Sequence, residues 1–121
     1  MKKILIVDDS LFMRKMLKDV LSHGHNKIIE AESGASALEQ FKKEKPDLVL
    51  LDIIMPAGEE EGIRVLQEIK KSNPKAQVVM ITAVGQNSII EGCKKLGVKD
   101  YIVKPFDENQ VVEIVEKYLG G

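Results

Sequence analysis

Five short runs of apolar and β-branched residues recur along the 121-residue chain, separated by longer stretches whose apolar positions return every three or four residues. The runs are Ile4–Val7, Lys27–Ala31, Leu48–Leu51, Val78–Ile81 and Lys99–Val103. Such alternation predicts five βα units rather than a β-sandwich. The first, third and fourth runs are continuously apolar, as strands covered on both faces must be, and are expected at the centre of a parallel sheet. Helical stripes follow at Met13, Met16, Leu17, Val20 and Leu21, and at Gly34, Leu38 and Phe41. Others fall at Ile63, Leu66 and Ile69, at Ile89, Cys93 and Leu96, and at Val111, Ile114, Val115 and Tyr118. Pro46 and Pro74 stop the second and third helices, because the residue before a proline is pushed out of α geometry. Asp107 with Gln110 three residues on marks the start of the fifth. With right-handed crossovers, the compact solution is a single doubly wound (βα)5 domain, a five-stranded parallel sheet with helices on both faces, spanning residues 1–121.

Composition narrows the function classes. Eighteen basic against nineteen acidic residues give a net charge of −1, which leaves no excess positive charge to release counterions from a nucleic acid. No apolar run approaches the length of a membrane span, and no cleavable leader follows Met1. The single cysteine, Cys93, allows no internal disulfide and agrees with a reducing compartment. A cytoplasmic monomer without nucleic-acid or membrane partners and without an output domain is expected.

In open α/β sheets ligands bind at the carboxyl ends of the strands. Read at those ends, the sequence offers Asp8 and Asp9 after the first strand, Asp52 after the third, Thr82 after the fourth and Lys104 with Pro105 after the fifth. Three carboxylates about 5 Å apart repel by roughly 3 kcal/mol per pair at an effective dielectric near 20, so the cluster demands a cation. An oxygen-only set suits Mg2+ or Mn2+ and not Zn2+. A divalent ion, an ammonium and a hydroxyl around one carboxylate can neutralise a phosphoryl group in transfer, with the carboxylate as nucleophile. Asp52, at the end of the central strand, is the candidate for that role.

These residues resemble the receiver domains of two-component response regulators, nearest to the single-domain chemotaxis regulators. The resemblance runs through Val7-Asp8-Asp9-Ser10, Asp52-Ile53-Ile54-Met55-Pro56, Thr82-Ala83 and Tyr101-Ile102-Val103-Lys104-Pro105-Phe106. It implies a flavodoxin-like sheet of order 2-1-3-4-5 and phosphorylation of Asp52 by a histidine kinase. It also implies Mg2+ held by Asp9, Asp52 and the Ile54 backbone carbonyl, with Asp8 acting through water. Thr82 and Lys104 would hold the phosphoryl oxygens, and the Lys104–Pro105 peptide would be cis. Thr82 and Tyr101 would form a switch whose output appears on the fourth helix, fifth strand and fifth helix, with Lys94, Lys95, Lys99 and Tyr101 as partner contacts. The downstream partner would be a protein such as a flagellar or archaellar switch component, with an auxiliary phosphatase to end the signal.

Two departures from the receiver pattern stand out. Ala57-Gly58-Glu59-Glu60-Glu61 between Pro56 and Gly62 is two residues longer than usual, and the extra length is assigned to the loop. Its glutamates either strengthen cation binding or cap the third helix. Ile54 and Val84 are apolar where receivers often carry groups that orient water, so slow autodephosphorylation is expected, and no other enzymatic activity. His23 and His25 are placed far from the carboxylates, and Cys93 in the core. A standalone phosphorelay intermediate is the alternative reading. An aspartate-based Mg2+ phosphatase is a more distant one, since Ile54 replaces the second acid that chemistry needs. A flavin carrier is disfavoured because Asp8 and Asp9 would repel its phosphate.

Overall fold

The computed structural model describes residues 2–22, 24, 26–53, 59–83 and 87–120, with backbone alone at 59 and 60. Five strands and five helices alternate in it: β1 Lys2–Val7, α1 Leu11–Leu21, β2 Asn26–Ala31, α2 Gly34–Glu44, β3 Leu48–Asp52, α3 Glu59–Ser72, β4 Val78–Ala83, α4 Asn87–Lys95, β5 Asp100–Lys104 and α5 Glu108–Leu119. All strand pairs are parallel and the sheet order is β2-β1-β3-β4-β5, as the alternation and the resemblance predict.

Burial explains the order. Every residue of β3 is buried, and β1 and β4 each have a run of at least four buried residues. β2 and β5, at the edges, are only partly buried. The sheet separates two apolar cores. One lies under α2, α3 and α4 and includes Leu5, Val7, Phe41, Leu51, Leu66, Ile69, Met80 and Cys93. The other lies under α1 and α5 and includes Ile4, Ile6, Leu17, Leu50, Ile81, Ile102 and Val111. Alternate residues of each central strand therefore serve opposite cores, which explains why those strands read as unbroken apolar runs.

Local chemistry sets the helix ends. The Ser10 hydroxyl accepts from the Met13 amide at the start of α1, and Asp107 accepts from the Gln110 amide at the start of α5. Ser33 and Ser36 cap α2 reciprocally. α2 ends on Lys45 in the left-handed region, φ 49°, directly before Pro46.

Element limits and one helix face differ from the sequence reading. Asp52, Thr82 and Lys104 lie within the last two residues of their strands rather than after them, because the parallel ladder continues to Asp52↔Ile81, Thr82↔Val103 and Ala83↔Lys104. The third helix starts at Glu59, not Gly62, so the three glutamates open the helix instead of lengthening a loop. On α1 the buried residues are Arg14, Leu17 and Leu21, which turns the inner face away from Met16.

Candidate functional site

The carboxyl ends of β1, β3, β4 and β5 bring the predicted residues together. Asp8, Asp9 and Asp52 each offer a carboxylate oxygen, and these oxygens lie within 4.8 Å of one another. Asp8 and Asp52 are buried, whereas Asp9 faces solvent. Asp8 is held by its own turn: its Oδ1 accepts from the Ser10 amide at 2.9 Å, and its amide donates to the Ala31 carbonyl at 3.1 Å. Lys104 extends from the end of β5 with Nζ 3.6 Å from Asp8 Oδ2 and 3.5 Å from Asp52 Oδ2. The Lys104–Pro105 peptide is cis, as the resemblance implies. Thr82 is buried beside them on β4.

Three carboxylates against one ammonium leave a formal charge of two negative on the cluster. Asp8 Oδ2 is buried and has no hydrogen-bond partner among the described residues, so its second oxygen is paired only through the longer contact with Lys104. A buried charged oxygen without a hydrogen bond is costly, and a hard divalent cation between Asp8, Asp9 and Asp52 would remove that cost. The oxygen-only donor set, the charge and the partial exposure fit an ion of the Mg2+ kind. The Ile54 carbonyl expected to join it lies outside the described residues, as do Val84, His23 and His25.

Arg14 was not among the residues the sequence singled out for this site. It is 91% buried, its Nη1 donates to the Asp8 carbonyl oxygen at 2.7 Å, and its Nε donates to Glu30 Oε1 at 3.2 Å. This fork ties the backbone of the acidic turn to β2. The sequence did carry a signal, because 14, 17 and 21 share one helical face, but a charged residue at a stripe position is easily passed over. Glu61 was foreseen near the cluster and does something different. Its Oε1 accepts from the Gly34 amide at 3.1 Å, placing the carboxylate at the start of α2 rather than among the cation ligands.

Residues 4–116 match the family described as "Response regulator receiver domain". The chain belongs to this family. Over 119 residues, 98% of each chain, the receiver is 47% identical to "Chemotaxis protein CheY" of Bacillus subtilis. It is also 37% identical to "Sporulation initiation phosphotransferase F" of the same organism, covering 98% of this chain and 94% of that one. Among solved structures, the receiver domain of NtrX from Brucella abortus superposes with a TM-score of 0.90 at 32% identity, covering 97% and 98% of the two chains. As a receiver, the protein is a component of two-component signalling and not a conventional enzyme. Receiver domains act with Mg2+, a histidine-kinase phosphodonor and a downstream target, and the acidic cluster of this receiver fits that requirement.

On the other side of β5, Lys94 and Lys95 occupy the last turn of α4, and they and Lys99 are exposed. Tyr101 is half-buried, with its ring packed against the core under α4. Leu11 and Phe12, 69% and 75% exposed, open α1 next to the acidic turn and were not anticipated as a surface feature. Cys93 is fully buried and burial pushes its thiol up, which makes it a packing residue as expected. No helix among the described residues is long and apolar enough to cross a membrane.

Proposed function

We propose that this receiver accepts a phosphoryl group on Asp52 and reports it to a separate protein, in the control of motility. The observation that carries the reading is the buried Asp52 carboxylate at the end of the central strand, ion-paired to Lys104 and within 4.8 Å of Asp8 and Asp9. An Asp52 carboxylate oxygen attacks the phosphorus of a phosphohistidine; the P–O bond forms as the P–N bond breaks, and the electron pair leaves with the imidazole nitrogen. Lys104 neutralises charge on the equatorial oxygens and the Thr82 hydroxyl donates to one of them. Asp9, Asp52 and the Ile54 carbonyl would hold Mg2+, with Asp8 acting through water, and the ion would supply further neutralisation. Afterwards Thr82 and Tyr101 shift together and alter the face that carries Lys94, Lys95 and Lys99. Hydrolysis of the acyl phosphate is slow without a phosphatase, because Ile54 and Val84 cannot orient water.

Likeness to a chemotaxis protein over nearly the whole length supports motility control and a switch component as listener. Likeness to a sporulation phosphotransferase favours the alternative, a relay that passes the phosphoryl group to a second histidine. Intact-mass spectrometry after acetyl phosphate treatment tests the core of the reading. Wild type should gain one phosphoryl group only with Mg2+, and Asp52→Asn none; equal labelling of the two chains defeats it. Loss of the group to a histidine phosphotransfer domain, with recovery of label there, would favour the relay.

A further inference from the structure

One contact on the output side has no part in holding the phosphoryl group. Lys94, in the last turn of α4, places its Nζ 5.3 Å from the centroid of the Tyr101 ring on β5. The same ammonium lies 3.9 Å from Glu91 Oε1, one turn back on α4. Tyr101 pairs with Met80 in the ladder, and its ring closes the edge of the core that contains Ile89, Ile90 and Cys93 of α4. The ring thus has an apolar side toward the core and a cation on its electron-rich face. A cation over an aromatic face at an exposed site contributes about 0.5–1 kcal/mol.

We propose that Lys94 is a positioning residue for the Tyr101 switch: its ammonium holds the ring in the half-buried pose, and the ring can turn inward only by giving up that contact. The inference rests on the reading of Thr82 and Tyr101 as the moving pair. Two consequences follow from linkage. Removing the cation favours the inward ring roughly two- to five-fold, and by reciprocity it tightens binding at the phosphoryl site by the same factor. In the switched state the Lys94 ammonium, exposed throughout, is freed from the ring and can turn with Lys95 and Lys99 toward an acidic partner segment.

The chain has two tyrosines and no tryptophan, so 3-fluorotyrosine labelling gives two 19F resonances, which Tyr101→Phe assigns. The protein is titrated with beryllium fluoride, a phosphoryl mimic, in saturating Mg2+. The expected result is a Tyr101 resonance that moves on loading in wild type. In Lys94→Met it should start nearer its loaded position and reach the midpoint at a roughly two- to five-fold lower concentration. Lys94→Arg, which keeps the cation, should titrate as wild type. So should Lys75→Met, which removes an exposed charge elsewhere. A Lys94→Met titration superimposable on wild type, with the Tyr101 resonance moving in both, overturns the proposal. An equal shift in Lys75→Met does the same by reducing the effect to net charge. A wild-type Tyr101 resonance that stays still while beryllium fluoride binds defeats the switch reading itself, and Lys94's role with it.

Discussion

Asp9 is the exposed member of a carboxylate trio whose other two members are buried, and that asymmetry divides the work among them. Asp8 and Asp52 have Lys104 against them, whereas Asp9 adds charge at the solvent side, where an ion would enter. Without metal its negative charge opposes folding of the cluster. Asp9→Asn should therefore raise stability in EDTA by about 1 kcal/mol, a value discounted for its exposure, and lose most of the increment that saturating Mg2+ gives wild type. Urea unfolding of both chains with and without Mg2+ checks this, and a wild type indifferent to Mg2+ contradicts it. The site residues on strands were legible because a parallel sheet converts the last residue of each apolar run into a position on one edge. Arg14 and Glu61 were not. The first sits on a helix face defined by apolar neighbours, and the second contacts a residue 27 positions away across two helices, which no local pattern encodes.

At the scale of elements, the placement of α3 decides how firmly the segment around Asp52 is held. A Cβ built on Gly62 would lie 2.7 Å from the Ile53 Cα and 2.8 Å from its carbonyl carbon, so α3 approaches the backbone just after Asp52 as closely as a glycine allows. Gly62→Ala must push the helix away or displace the end of β3. It should cost about 1–3 kcal/mol and slow phosphorylation by acetyl phosphate. Gly92→Ala is the counterpart: it lies exposed in α4 with nothing within 4 Å of the added methyl, and should add about 0.5–1 kcal/mol with phosphorylation unchanged. Denaturant midpoints and labelling rates of the two variants separate close approach from plain helix propensity. The existence and kind of all ten elements followed from periodicity. Their limits moved by a residue or three, because ladder pairing carries strands past their apolar runs and Glu59 to Glu61 accept a helical backbone.

In the whole molecule the sheet has one end that handles charge and another that is stitched shut. At the second end the Tyr118 hydroxyl shares its one proton between the Lys99 carbonyl at 3.1 Å and Asp100 Oδ2 at 3.0 Å. Gln77 Nε2 donates to the Tyr118 carbonyl and to the Asp47 carbonyl. α5 is thereby fastened to the starts of β3, β4 and β5. Burial, then the bond to Asp100, raises the Tyr118 phenol above its ordinary value of 10.0, the folded state favouring the protonated form. Its contribution to stability is complete below pH 10.0 and lost as the pH climbs through the raised value. Tyr118→Phe should lack that loss, so the stability difference between wild type and variant should shrink above pH 10.0, as urea midpoints across the alkaline range would record. The clasp between α2 and α3 has a different reach. An alanine at Gly34 would put its methyl 2.6 Å from Glu61 Oε1 and 3.0 Å from Val65, while a shorter side chain at 61 would make room for it and give up the bond to the Gly34 amide. The two positions are therefore coupled: Gly34→Ala and a shortened side chain at 61 should cost less together than the sum of their separate costs, a non-additivity that a double-mutant cycle on unfolding free energy would read.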